Sequence, residues 1–232
     1  MSVARQVVAI GGGGFLMDDT SGTQERFLLS LCRRREAPSV LYLGTANGDG
    51  ERAQLKFYRL FTELGARCST LPFYLYEMRR DYPRAAREAD LVYVGGGNTP
   101  AMLAVWREFG FDAALREAYD AGTVMAGISA GANCWFEHYV TDSVPGGGVR
   151  DGLGWLAGTF CPHLDSEAWR QPMLAATRGA AFGAGEHVLA HWVDGQPREA
   201  LHSSPGAAVM CLRRTPPKST LETWPPRALR AP

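Results

Sequence analysis

Short apolar runs recur along this chain, and most are followed by a stretch whose apolar residues fall three or four apart. The first run, residues 6–10 (QVVAI), reads as a strand and ends in the glycines of 11–14. From about Thr23 a helical spacing sets Phe27, Leu28 and Leu31 on one face. Residues 39–43 (SVLYL) form the next strand, and 51–64 a helix with Leu55, Tyr58, Leu60 and Phe61 as core positions. A weaker strand at 67–71 precedes a strong one at 90–94 (DLVYV), which runs into Gly95-Gly96-Gly97. Thr99 followed by Pro100 is a helix start, a hydroxyl cap ahead of proline at the first helical position. A helix at 112–119 leads to a strand at 123–126. Strands alternating with helices predict an α/β fold, a mostly parallel central sheet flanked by helices in a three-layer sandwich.

Past residue 126 the pattern loosens. Residues 141–154 hold five glycines and one proline and read as a loop. Residues 166–181 read as a helix capped by Asp165 or Ser166, and 188–193 and 207–212 as late strands. Residues 213–232 carry Pro216, Pro217, Pro225, Pro226 and Pro232 without periodicity. They are expected to be a surface or disordered tail to a single domain over 1–212.

Composition narrows the partners. The 24 basic and 24 acidic residues cancel, so no basic field invites nucleic acid or an anionic membrane. No apolar run approaches the roughly 20 residues that span a bilayer, and residues 1–5 do not resemble a signal peptide. The five cysteines (Cys32, Cys68, Cys134, Cys161, Cys211) lack any C-x-x-C pair. They read as idle thiols in a reducing compartment, which makes the expected location cytoplasmic.

The chemistry centres on residues 123–132 (TVMAGISAGA). A buried strand meeting G-x-S-x-G and then helix-tolerant residues is the context of a nucleophile elbow, with Ser129 on the turn. Both flanking glycines suit it, because a Cβ at Gly127 or Gly131 would crowd the crossing backbones. The helix N-terminus also favours developing negative charge. The alternative is a glycine-rich turn whose serine only caps the helix. A serine nucleophile needs a base, and of the five histidines His163 stands out. It follows Pro162, which stiffens its approach, in a loop where α/β folds place reactive groups. His187 and His191 are four apart, but 186–193 reads as a strand, so the pair is taken as structural. Glu137, Asp142, Asp165 and Asp194 all remain open as the carboxylate that orients the imidazole. Asp194-Gly195 is equally a two-residue hairpin turn. Ala130 N–H and the turn at 95–98, which ends in Asn98, could stabilise an oxyanion, although such a turn also suits a phosphate. The glycines at 11–14 lack the dinucleotide-binding spacing.

Together, residues 94–99 (VGGGNT), 127–132 (GISAGA) and Pro162-His163 resemble the S51 serine peptidases, the peptidase E (aspartyl dipeptidase) and cyanophycinase group. The likeness runs from Gln6 to about Leu212. It implies a fold similar to the class I glutamine amidotransferases (flavodoxin-like), with Ser129 as nucleophile, His163 as base, and Gly97 and Ala130 as oxyanion donors. In peptidase E the third residue is a glutamate preceding a glycine, after the histidine's helix. Asp194-Gly195 occupies the matching place, so Asp194 is the expected acid, with Glu137 and Asp142 as alternatives. Cleavage of Asp-X dipeptides requires a cationic pocket, for which Arg170 and Arg150 are the candidates beside Asn98. The chain departs from the longer peptidase E proteins after Leu212, which leaves Asp-X specificity open. The expected substrate is a small peptide, with no cofactor or metal and no nucleic-acid or membrane partner; a homodimer is the one assembly considered. The rivals are a related hydrolase of other substrates and a binding protein on the same fold.

Overall fold

The computed structural model describes residues 3–17, 19, 21–74, 81–204, 209–215, 218–224 and 226–229. Five parallel strands form its centre: β1 (Gln6–Ile10), β2 (Ser39–Leu43), β3 (Arg67–Thr70), β4 (Leu91–Val94) and β5 (Val124–Ile128). They lie in the order β1-β5-β4-β2-β3. All residues of β4 and β5 are buried, as continuous apolar runs covered on both faces should be. The covering helices are α1 (Thr23–Leu31), α2 (Glu51–Glu63), α3 (Tyr82–Arg87), α4 (Thr99–Glu108) and α5 (Phe111–Asp120). Val8, Ile10, Tyr42 and Tyr93 pack one sheet face against Phe15, Phe57 and Phe61. Val7, Leu41, Val94 and Met125 pack the other against Met102, Trp106 and Leu115.

The α2 stripe differs from the expectation in phase. Phe57, Leu60 and Phe61 face inward, whereas Leu55 is 70% and Tyr58 38% exposed. Residues 57, 60 and 61 obey the three-and-four spacing, and 55 and 58 fall outside that stripe. The cap of α4 also moves by one: Asn98 Oδ1 accepts from Ala101 N at 2.9 Å, and Thr99 is the first helical residue.

The second half of the chain is richer in strands than its pattern suggested. After a single-turn helix α6 (Ala130–Asn133) come β6 (Phe136–Thr141), β7 (Gly148–Asp151), β8 (Leu156–Cys161), α7 (Arg170–Ala175) and β9 (Ala181–Ala184). β10 (Val188–Val193) and β11 (Gln196–His202) then add to the first sheet, β10 antiparallel to β1. β12 (Val209–Thr215) and β13 (Lys218–Trp224) complete a six-stranded second sheet, and β14 (Pro226–Ala228) pairs parallel with β11. The expected loop at 141–154 therefore contains β7, and the expected helix at 166–181 shrinks to α7. Of the expected tail, residues 213–215, 218–224 and 226–228 lie in strands. β12 and β13 pair antiparallel from Val209↔Trp224 to Thr215↔Lys218. Pro226 lies in an edge strand. Pro216, Pro217, Pro225 and Pro232 themselves, and residues 207–208 of the expected late strand, lie outside the described residues. Phe136, Phe160 and Trp192 join the two sheets in one core.

Candidate active site

The carboxyl ends of β1, β4 and β5 lie side by side, the edge at which open α/β sheets gather ligands. At the end of β5 Ser129 adopts φ 54° and ψ −114°, a backbone region that costs a non-glycine residue about 1–3 kcal/mol. Ser129 N donates to Ile10 O at 3.0 Å, and Ala132 N and Asn133 N return to Ser129 O. The flanking glycines are required by contact. A Cβ on Gly127 would stand 2.0 Å from Gly131 O, and one on Gly131 2.3 Å from Val94 O.

His163 follows β8 with φ 54°, a second strained residue at the same place. Its Nε2 lies 2.8 Å from Ser129 Oγ and its Nδ1 2.5 Å from Glu186 Oε1. The relay is thus continuous from hydroxyl to imidazole to carboxylate, and its two titratable members are only partly exposed. The hydrogen bond to His163 holds the Glu186 carboxyl below its ordinary range. Partial burial opposes that, and the charge of His163 and a bond from Ser166 add to it. Asp165 Oδ1 accepts from Glu186 N at 2.9 Å and so fixes the backbone that carries this carboxylate.

The glycine run after β1 makes room for Glu186. A Cβ on Gly12 would fall 1.9 Å from Glu186 Oε2, and one on Gly13 2.6 Å from His187 Nδ1. His187 N donates to Gly12 O at 3.1 Å, tying the two loops together. The 95–98 turn closes the other side, since a Cβ on Gly96 would lie 3.7 Å from Ser129 Oγ. Gly97 has φ 141° and presses on Ala46 O, a packing only glycine allows.

The expected acid, Asp194, is elsewhere. It turns the β10–β11 hairpin with φ 50°, accepts from Arg5 N at 3.1 Å and lies 3.5 Å from Arg5 Nε. Asp-Gly here serves the two-residue turn, and the carboxylate reaching His163 comes from the loop before β10 instead. The two alternatives are also engaged elsewhere. Glu137 Oε2 accepts from Gly158 N at 2.8 Å, and Asp142 Oδ1 faces Arg170 Nη2 at 3.8 Å. The sequence conceals Glu186 because 186–193 reads as one strand. The signal that could have found it is a glutamate after Gly185, in a loop facing four consecutive glycines.

The residues expected to bind substrate divide. Asn98 uses both ends of its amide within the fold, capping α4 and donating from Nδ2 to Ser143 O at 3.1 Å. Arg150 is exposed on the edge strand β7 and donates to Val149 O. Arg170 is 4% exposed and stacks 4.5 Å over the Trp169 ring. Its Nη2 donates to Glu167 Oε1 at 3.2 Å, while Nε faces Oε2 at 3.1 Å without a well-aligned hydrogen bond. Glu167 is within electrostatic reach of His163. Partial burial would raise its carboxyl, but Arg170, Trp169 and the charge of His163 hold it below the ordinary range. Among the described residues no group of three or more His, Cys, Asp and Glu side chains is placed to hold a metal ion. No helix among them is long and apolar enough to cross a membrane.

A hydroxyl bonded to a carboxylate-backed imidazole, at the carboxyl edge of a parallel sheet, defines the class: an α/β protein with a hydrolase-type site. The model of peptidase family S51 matches residues 7–185. Over 208 residues the chain is 38% identical to the uncharacterized peptidase YgaJ of Bacillus subtilis (strain 168), covering 88% of this chain and 90% of that one. The chain belongs to peptidase family S51. A peptidase from an acI-B1 Actinobacterium has a similar fold, with a TM-score of 0.67 at 16% identity, over 95% of this chain and 94% of that one. A putative peptidase E protein from Listeria monocytogenes EGD-e gives 0.66 at 15% identity, over 87% of this chain and 100% of that one.

Proposed function

We propose that this chain is a serine peptidase that hydrolyses small peptides through an acyl-enzyme. The observation that carries the proposal is the unbroken relay from Ser129 Oγ to His163 to Glu186. In this reading His163 Nε2 takes the Ser129 proton as Oγ attacks the scissile carbonyl carbon. Glu186 accepts from Nδ1–H, which sets the tautomer and stabilises the imidazolium. The carbonyl oxygen becomes an oxyanion facing the amides of Gly97 and Ala130. His163 then returns the proton to the departing amine as the C–N bond breaks, leaving the acyl group on Oγ. Water, deprotonated by the same imidazole, attacks the ester, and Ser129 recovers its proton as the carboxylic acid leaves.

The pairing of Arg170 supports a substrate class. Its guanidinium faces Glu167 and Asp142, both from this chain, so Arg170 itself is already paired and is not free for an incoming aspartyl side chain. This favours small peptides with an uncharged residue at the cleaved bond over Asp-X dipeptides. A cytoplasmic location accompanies the reading, with Cys32, Cys68, Cys134 and Cys161 as free thiols. The test is a stopped-flow panel of neutral dipeptides, Asp-X dipeptides, isoaspartyl peptides and aryl esters. The expected result is a burst stoichiometric with enzyme on an aryl ester and steady turnover of neutral dipeptides above Asp-X. Failure to detect, by quenched-flow mass spectrometry, any acyl group on Ser129 during turnover overturns the acyl-enzyme, and preference for Asp-X overturns the substrate class.

A further inference from the structure

Two polar side chains in the first turn of α1 are buried more completely than their chemistry favours. Gln24 is 0% and Glu25 1% exposed. Burying such groups is costly unless their bonds are used. Glu25 Oε1 accepts from Phe15 N at 3.2 Å, at the end of the glycine turn that follows β1. Gln24 Nε2 donates to Ser203 Oγ at 3.0 Å. Ser203 in turn holds the bend beyond Glu186, donating to His187 O from its backbone N at 2.9 Å and from Oγ at 3.4 Å. Both side-chain oxygens crowd Gly14 (φ 63°), where a Cβ would lie 2.8 Å from Gln24 Oε1 and 3.0 Å from Glu25 Oε1. From one helical turn the pair therefore grips both loops that meet at Glu186. One is the 11–15 turn, with Gly12 against the carboxylate; the other is the bend at His187, itself strained at φ 62°.

We infer that Gln24 and Glu25 are positioning residues, which lock these two loops together and thereby keep the Glu186 carboxylate on His163 Nδ1. The inference rests on the hydrolase reading above. It ascribes to α1 a function beyond packing: its first turn braces the acid through Phe15 on one side and Ser203 on the other. Loss of either brace frees the carboxylate to rotate away from the imidazole while the hydroxyl and imidazole remain.

The test compares Gln24→Ala, Glu25→Ala, Glu25→Gln and Ser203→Ala, each alone and combined with Glu186→Gln. The readout is the rate at which a fluorophosphonate labels Ser129, with thermal denaturation as the check on folding. Gln24→Ala and Glu25→Ala should each slow labelling on the order of tenfold, and should add nothing in the Glu186→Gln background. Glu25→Gln keeps an acceptor for Phe15 N–H and should restore most of the rate lost in Glu25→Ala. If Gln24→Ala does not fold, Ser203→Ala decides the point, since it cuts the same brace at a half-buried position. Folded variants that label at the wild-type rate overturn the inference, as do variants that slow labelling equally with and without Glu186. A wild-type protein that never labels refutes the hydrolase reading instead. The low-field proton resonance of His163 Nδ1–H then decides positioning: its loss in Gln24→Ala sustains the inference, and an unchanged resonance overturns it.

Discussion

Gly12→Ala is the sharpest single perturbation of this site. The new methyl would fall 1.9 Å from Glu186 Oε2, where ordinary contact begins near 3.4 Å, so the carboxylate must retreat by about 1.5 Å. Oε1, only 2.7 Å from the same methyl position, must shift as well, and that disrupts its 2.5 Å hydrogen bond with His163 Nδ1. The atom in the way is the end of a flexible side chain, and Gly12 is not among the positive-φ glycines, so the backbone accepts alanine. The fold should survive and the relay should not. A hydrogen bond to a charged group contributes about 1.5–3 kcal/mol, which corresponds to a roughly 10- to 150-fold slower attack by Ser129. The assay is the second-order rate of Ser129 labelling by a fluorophosphonate, with urea unfolding alongside. A folded Gly12→Ala protein that labels at the wild-type rate would refute the claim that Glu186 supports the imidazole.

Other expectations are equally concrete. Gly131→Ala drives a Cβ to 2.3 Å from Val94 O, a backbone atom, and should cost about 1–3 kcal/mol or more in urea unfolding; wild-type stability would contradict the elbow packing. Asp194→Asn should weaken the fold by less than about 1 kcal/mol, since its partner Arg5 is well exposed. It should leave Ser129 labelling unchanged, and a drop comparable to that of Glu186→Gln would count against the geometry. Burial pushes the Glu25 carboxyl up from 4.5 to about 7 despite the Phe15 N–H, with Asp19 and Tyr93 facing it. A raised folded value means its stabilising effect is full below pH 4.5 and is lost as pH rises through about 7, a change of ~3 kcal/mol. Glu25→Gln cannot ionise and should flatten that slope in denaturation curves taken from pH 4.5 to 8; an unaltered slope would contradict the burial argument.

The parallel half of the fold was legible because its strands, the edge strand β3 apart, are buried on both faces and read as unbroken apolar runs, as in VVAI, VLYL and LVYV. The second sheet was not. β7 is an exposed edge strand of sequence GVRD, with no alternation to detect, and the glycines before it form the turn that lets it pair. Ser129 and His163 could be picked out because strand, elbow glycines and the Pro162-His163 loop each constrain local backbone. The acid could not, because what brings Glu186 rather than Asp194 to His163 is the antiparallel pairing of β10 with β1, a contact between residues far apart along the chain. The clue was on the opposite loop, in glycines whose missing Cβ atoms make space for a carboxylate.

The most direct test of the central claim is mass-spectrometric mapping of the fluorophosphonate adduct on wild-type, Ser129→Ala and His163→Ala proteins. The expected result is one phosphonyl group on the peptide containing Ser129 in the wild type and none in either folded variant. Modification at another residue, or undiminished modification of Ser129 without His163, would contradict it.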